Sequence, residues 1–377
     1  MRYLTSDIIF TAFSSPINDG VIVVDDEGKI VDLLENKRRV DSANLEYIKG
    51  ALCPGFINTH CHLELSHLQG KLASKTGLPH FINSIGQIRK ASDCRQEDAL
   101  KLADRQMYNN GIMAVADISN TADSFTIKAN SAIYYYTFIE LFSSSPHKAN
   151  EVFERGLNLS KLCNTPNSLT PHANYSVSLP LFEKIKYHNK GKIISIHSQE
   201  TPEEDTMFLT GRGKLLSQLT AKDFFNHTGK TALQSILPLL PKSPILLVHN
   251  TFTKREDMLQ ALSNYEKLFW CTCPKANLFI ENQLPNYQQF IDAKAKMTIG
   301  TDSLASNDTL CILEEMKTIQ SFVSLELLIE WACKNGSEFL GLDYLGSFQK
   351  GKVPGINHIT NIVDGKLTNK SQVKKIF

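Results

Sequence analysis

Short apolar runs alternate with helix-length amphipathic segments along most of the chain. Eight runs stand out: residues 55–62, 112–118, 132–138, 168–175, 192–197, 245–249, 268–273 and 297–302, each dominated by β-branched, aromatic or leucine side chains. Continuous apolar character is what a strand buried on both faces shows. The segments between them read as helices. Residues 93–110 are amphipathic and stop at Gly111. Ser178 can cap a helix running to about Asn189, before Gly191. Residues 253–264 open on Thr253 and carry Glu256 and Asp257 in the first turns. Eight strands alternating with helices over about 250–300 residues is the period of a (β/α)8 barrel.

The ends follow another rhythm. Residues 20–31 form two alternating runs about an Asp-Glu-Gly turn, a hairpin signature, and residues 361–367 have a similar strand-and-turn character. Two β-rich ends flanking one barrel predict an α/β protein with a small β-sandwich domain built from both termini. The expected division is residues 1–54 and 346–377 for the small domain and 55–345 for the barrel.

The chemistry lies in where polar residues interrupt the apolar runs. His60 and His62 close the first run, His197 the fifth, His249 the sixth and Asp302 the eighth. Each falls at the C-terminal end of its strand, the face on which barrel enzymes build active sites. Residues i and i+2 share a side of a strand, so His60 and His62 point into the barrel mouth while Cys61 points to the helix layer. One histidine at a strand end is ordinarily a hydrogen-bonded structural residue, and His-x-His alone is a weak signal. Five such residues at the same end of four strands are hard to obtain by accident. Imidazoles with one carboxylate suit zinc or another divalent transition metal.

Composition narrows the partners. Forty basic and thirty-nine acidic residues among 377 leave a net charge of +1, which lacks the cationic surplus that nucleic-acid binding needs. At 42% hydrophobic and 21% charged the chain has globular values. No apolar stretch reaches the length of a membrane span, and the start has no secretory pattern. The eight cysteines are scattered over a long chain and are expected to be reduced and mostly buried. A cytoplasmic protein working on a small molecule is the expectation, with no nucleic acid and no membrane as partner.

Residues 54–62, Pro-Gly-Phe-Ile-Asn-Thr-His-Cys-His, resemble the first-strand signature of the amidohydrolase superfamily. His197-Ser198-Gln199-Glu200, Val248-His249-Asn250 and residues 300–307 resemble its later signatures in the expected order. Residues 171–176 and 273–277 bring the pattern nearest to the metal-dependent deaminase and chlorohydrolase branch, over roughly residues 50–345. The segment 351–357 departs from the branch's usual C-terminal pattern and leaves the last β segment less defined.

That resemblance implies a set of roles. Binuclear members carry a carboxylated lysine at the end of strand four. Residues 170–175 contain none, so one metal ion is expected: zinc, with iron or manganese as alternatives. His60, His62, His197 and Asp302 would hold it, and a bound divalent cation brings the pKa of water toward neutrality. Asp302 would also accept the water's proton. Glu200 would be the proton shuttle to a ring nitrogen, and His249 would hold the attacking water and contact the departing group, or serve as a further ligand. Glu64 resembles a ribose-hydroxyl acceptor and reads equally well as a partner orienting a ligand imidazole. His172 resembles a substrate-contacting histidine. Residues 70–89 are long for a strand-to-helix connection and could form a lid that supplies apolar walls.

The implied activity is a mononuclear metal-dependent hydrolytic deaminase releasing ammonia from an amino-substituted N-heterocycle, an adenine-type nucleoside or an aminofutalosine-like metabolite. The alternatives are a chlorohydrolase or cyclic amidohydrolase using the same centre, or a catalytically idle barrel acting as a binding protein. A homodimer is the assembly the resemblance suggests.

Overall fold

In a computed structural model that describes residues 1–88, 96–219 and 221–377, each of the eight apolar runs is a strand. They are β6 (Phe56–Cys61), β7 (Ile112–Ser119), β8 (Tyr134–Leu141), β9 (Asn167–Pro171), β10 (Ile194–Ser198), β11 (Ile245–His249), β12 (Leu268–Thr272) and β13 (Lys296–Ile299). Five precede them: β1 (Arg2–Ile9), β2 (Ile17–Asn18), β3 (Val21–Val24), β4 (Ile30–Leu34) and β5 (Leu45–Pro54). Two follow, β14 (Ile356–Ile359) and β15 (Val373–Lys375). Residues 93–95 of the helix expected over 93–110, Cys94 among them, and Arg89 lie outside the described residues.

Strands β6 to β9 form one four-stranded sheet in sequential order and β10 to β13 another, and every pairing within them is parallel. Their edges meet through two single parallel bridges, Ala173 with His197 and Cys61 with Asp302. Alternation along the strands sorts side chains into two buried layers. Ile245 and Leu247 join a cluster with the helix residues Leu181, Phe182, Met258 and Ala261. Leu246 and Val248 join a cluster that draws Ile57, Ala114 and Phe138 from the other sheet. Each such side chain, fully removed from water, is worth about 1.5–3 kcal/mol.

The helices follow their local signals with small displacements. Gln96–Asn109 carries Glu97 and Asp98 in its first turn, favourable at the positive end of the helix dipole. Ser178 stands at the N-cap of Leu179–His188, but its hydroxyl makes no cap bond and donates instead to the Ser145 carbonyl at 3.5 Å. Pro180 in the first turn has no N–H to satisfy. The helix expected from Thr253 begins two residues later, as Arg255–Asn264. Among the described residues no helix is long and apolar enough to cross a membrane, and the seven described cysteines are free and buried.

Both ends of the chain enter one seven-stranded sheet, in the order β15-β14-β5-β1-β3-β4 with β2 on β1. The predicted N-terminal hairpin is β3 with β4, its turn held by Asp25 Oδ1, which accepts from the N–H groups of Glu27 (3.0 Å) and Lys29 (2.9 Å). Residues 361–367, expected to have strand-and-turn character, are a tight turn closed by a Val363–Lys366 bridge. Antiparallel pairing of β14 with β5 ties the two termini together. Strand β5 then passes straight into β6 through Gly55. A Cβ there would lie 2.1 Å from Met113 Cγ and 2.7 Å from the Pro354 carbonyl, so only glycine allows the first sheet strand to start so close to its neighbours.

Candidate active site

The polar strand ends converge. The ligand atoms of His60, His62 and His197 lie within 4.8 Å of one another, all three residues buried. Asp302 Oδ1 is 3.7 Å from His60 Nε2 and 3.6 Å from His62 Nε2. Its other oxygen, Oδ2, accepts from Ser306 Oγ at 2.6 Å, which fixes the carboxylate plane and leaves Oδ1 aimed at the histidines. His197 donates from Nδ1 to the His172 carbonyl at 2.8 Å, leaving Nε2 for a ligand. That second contact sets the tautomer a metal ligand needs.

The residues present fit a metal ion. His60 is wholly inaccessible to solvent, and neither of its ring nitrogens has a hydrogen-bond partner. A buried, unpaired imidazole calls for an explanation, and an ion is the one its neighbours supply. Burial first, and then the neighbouring His197, His62, His249 and His172, hold its pKa well below the ordinary value. The ring is therefore neutral, the form that binds metal.

Three residues of this floor lie in the left-handed region: Gln199 at φ 46°, His249 at 72° and Asp302 at 55°. Such conformations in non-glycine residues persist only when surrounding contacts over-determine them, and they gather at functional sites. The contacts are visible for the turn after β10. Glu204 Oε2 accepts from Gln199 N (3.0 Å), and its Oε1 accepts from Glu200 N (2.8 Å) and Thr201 N (3.4 Å). Thr201 and Glu204 form the capping box of helix Pro202–Thr210.

That turn presents Glu200 to the cavity. Burial pushes its carboxyl up to about 8, with the charges of Asp302 and Glu281 adding to the rise and His197 opposing it. At neutral pH it is a carboxylic acid. Its Oε1 lies 3.7 Å from His249 Nε2. His249 donates from Nδ1 to Asn277 Oδ1 at 2.8 Å, and burial lowers its pKa, so a neutral ring presents a bare Nε2 to Glu200.

A cavity of about 330 Å³ opens over this floor, within the range of small-molecule sites. His62, His172, His197, Glu200, His249 and Asp302 line its base. Its roof is apolar: Leu78, Phe81, Ile82 and Ile85 come from helix Leu78–Ile88, and Leu215 and Leu219 from and beside helix Lys214–Gln218. The segment read as a lid thus does supply apolar wall. His172 faces the cavity while its Nδ1 contacts Ser176 Oγ at 2.7 Å. Glu64 stands one step behind: Oε2 accepts from Asn120 N (3.0 Å), Thr121 N (3.1 Å) and Thr121 Oγ1 (3.1 Å), and Asn120 is the wall residue.

Three participants are absent from the sequence-derived set. Glu140, buried near the end of β8, lines the cavity and accepts from Asn120 Nδ2 at 2.9 Å. A polar residue at a strand end was the available signal, but the third apolar run stops at residue 138 and the strand continues to Leu141. Glu204 was announced by the Thr-x-x-Glu spacing of a capping box. Asn277, the partner of His249, sits in a helix after β12 with no periodic signal.

Known proteins agree with this architecture. A crystal structure of aminofutalosine deaminase from Helicobacter pylori in complex with methylthio-coformycin superposes with a TM-score of 0.83 at 20% identity, covering 98% of this chain and 94% of the other. An adenosine deaminase from Xanthomonas campestris with bound zinc superposes at 0.70 with 18% identity, covering 95% and 84%. An aminodeoxyfutalosine deaminase from a Nitratiruptor species is 24% identical over 369 residues, covering 87% of this chain and 84% of its own. Residues 51–374 match the amidohydrolase family. With the match spanning most of the sequence, the chain belongs to the amidohydrolase family.

Proposed function

We propose that this protein is a hydrolytic deaminase, using one zinc ion held by His60, His62, His197 and Asp302 to release ammonia from an adenine-type nucleoside or an aminofutalosine-like metabolite. The observation that carries the reading is Glu200: a buried carboxyl held protonated to about pH 8, facing the cavity beside three converging histidines. Removing an amino group from an aromatic ring needs an acid to protonate the adjacent ring nitrogen. Chloride, unlike an amino group, leaves without a proton, so the chlorohydrolase alternative would use fewer of the proton-transfer residues gathered here. The substrates named for the Nitratiruptor and Helicobacter proteins support the nucleoside class.

A divalent cation in this site supplies Lewis acidity and a nucleophilic water at neutral pH. Glu200 donates its proton to the ring nitrogen next to the carbon that bears the amino group. Asp302, its plane set by Ser306, takes a proton from the attacking water and delivers it to the departing amino group. His249 offers its bare Nε2 as an acceptor to the water and to the departing group, with Asn277 keeping the proton on Nδ1. Over the cycle a C–O bond forms and a C–N bond breaks: one proton of water leaves on ammonia, and the other returns from the new hydroxyl to Glu200, replacing the proton given to the ring nitrogen. His172 contacts the substrate from the cavity wall, and Glu64 shapes that wall through residues 120 and 121.

The finer architecture belongs to the same reading. Strands β6 to β13 close as one barrel over residues 55–345, supported by the Ala173–His197 and Cys61–Asp302 bridges. Residues 1–54 and 346–377 make one small sandwich, supported by the shared cluster of Leu4, Ile22, Leu52, Phe348 and Ile356. A cytoplasmic homodimer is the corresponding assembly.

The test is ammonia release by zinc-reconstituted protein from aminopurine nucleosides, aminofutalosine-like compounds, free bases and aminotriazines, with metal content measured on the same sample. Ammonia from one nucleoside with about one metal per chain is the expected result. Full metal occupancy with no ammonia from any compound overturns the deaminase reading, and protein that takes up no metal overturns the centre itself.

A further inference from the structure

On the helix side of the candidate metal centre, away from the cavity, a lysine and an aspartate are buried together. Lys128 and Asp117 form an ion pair whose side chains are both 0% exposed. The ammonium also donates to Ser119 Oγ at 2.8 Å and to Thr137 Oγ1 at 3.4 Å, so its three protons have three acceptors. Nothing in the deamination steps uses either residue.

A pair of this kind is a poor device for stability. Desolvating two charges costs several kcal/mol per ion, and an apolar pair of similar volume is often as good or better. The explanation lies in the remaining oxygen. Asp117 Oδ1 accepts the Leu63 N–H at 2.8 Å, and Leu63 follows His62 directly.

The carbonyl of the His62–Leu63 peptide is held within the turn, where it accepts the Leu65 N–H at 3.0 Å, and the N–H on its other side is the group that Asp117 holds. Strand β6 is bulged opposite β7: Asn58 pairs with Val115 and Cys61 with Asp117, three steps against two. A bulge re-aims a side chain and interrupts the ladder, and His60 lies within it. Past the bulge His62 adopts φ −120° and ψ 77°, neither strand nor helix, and gives no side-chain cap to the 3-10 helix Leu63–Leu68 that follows. The missing cap arrives from the neighbouring strand as the Asp117 carboxylate. Because ψ of His62 sets the direction of the Leu63 N–H, holding that N–H holds the peptide from which the His62 imidazole projects.

We propose that Asp117, anchored by Lys128, is a positioning residue for His62: it fixes the His62–Leu63 peptide and thereby the zinc affinity of the site. The proposal rests on the metal-centre reading above, and the experiment separates the two.

Two double variants remove both charges, D117N/K128M and D117L/K128M. Asparagine and leucine share one branched side-chain skeleton, but only asparagine keeps an oxygen for the Leu63 N–H, while its amide can donate to Ser119 Oγ, which lies 3.4 Å from the Asp117 Oδ2 it replaces. Zinc affinity is read by competition with a chelator, and the melting temperature of each metal-free protein is measured alongside. D117N/K128M should bind zinc nearly as the wild type does. D117L/K128M should bind about 10–100-fold more weakly at a similar melting temperature, the range for losing a group that orients a ligand. Equal zinc affinity of the two at equal melting temperature overturns the proposal.

Should D117L/K128M fail to fold, a backbone ester at position 63, with leucic acid in place of leucine, removes the N–H alone. Zinc affinity then should fall by about tenfold, and unchanged affinity overturns the proposal. A wild-type protein that takes up no zinc sinks the metal-centre reading and this proposal with it.

Discussion

The floor and the roof of the cavity are built on opposite principles. On the floor three polar side chains at or just past strand ends are each held by a second contact: Asp302 by Ser306, His197 by the His172 carbonyl, His249 by Asn277. Its backbone tolerates left-handed residues at Gln199, His249 and Asp302, each a cost of about 1–3 kcal/mol that the surrounding fold offsets. The roof is a cluster of Leu78, Phe81 and Leu215, with Ile82, Ile85 and Leu219 packed against it, held by non-directional contact on and beside two short helices. Directional contacts fix atoms to within a fraction of an ångström; apolar contacts fix volume. The floor should therefore govern metal binding and the chemical step, and the roof should govern how tightly substrate is held.

The strongest way to break that division is on the floor. His197→Ala should abolish both metal uptake and turnover, measured by metal analysis and ammonia release. Glu200→Gln should keep the metal and lower kcat by about 10²–10⁴, the typical worth of a positioned acid. A Glu200→Gln protein with near-normal kcat would falsify the shuttle role. Asn277→Ala leaves His249 in place but frees its tautomer, and kcat should fall by about 10–100-fold with the metal retained. Loss of metal in Asn277→Ala would instead make His249 a ligand.

The pH dependence sharpens the same point. Glu200 must carry its proton to act, and burial holds that proton up to about pH 8. The rate limb set by Glu200 should thus be flat below that value and fall about tenfold per pH unit above it. A rate that keeps rising through pH 9 would remove Glu200 as the acid.

The floor was legible in the sequence for the reason that it is directional. Polar residues closing apolar runs are visible one strand at a time, and parallel strands in sequential order bring their C-terminal ends together whatever the details of the loops. His60, His62, His197, His249 and Asp302 were readable in this way. Glu140 was hidden only because the third run was cut short of the strand's true end. Contacts that cross between elements carry no such mark. Nothing periodic pairs Asn277 with His249 or Asp117 with Leu63, because those depend on which helix and which strand pack behind the site. The roof was legible only as a long insertion: residues 78–88 show amphipathic spacing, but the surface that receives their apolar face is assembled from distant segments. At the C-terminus, 361–367 had strand-like composition, yet Asn361, Asp364 and Gly365 all adopt positive φ and make it a turn.

The smallest predicted effect is also the one that isolates the roof. Ile85→Val deletes one methylene from the cavity wall, at a residue packed against the roof cluster. A methylene taken out of contact is worth about 0.8 kcal/mol, which corresponds to roughly a fourfold rise in KM. Because the apolar contact is the same before and during the chemical step, kcat should stay constant, the signature of uniform binding. Substrates with a shorter or more polar distal group should feel the change less, since they fill the roof less completely. A fall in kcat with KM unchanged would mean that the helix Leu78–Ile88 helps align the reacting atoms, and the separation between a directional floor and a space-filling roof would no longer hold.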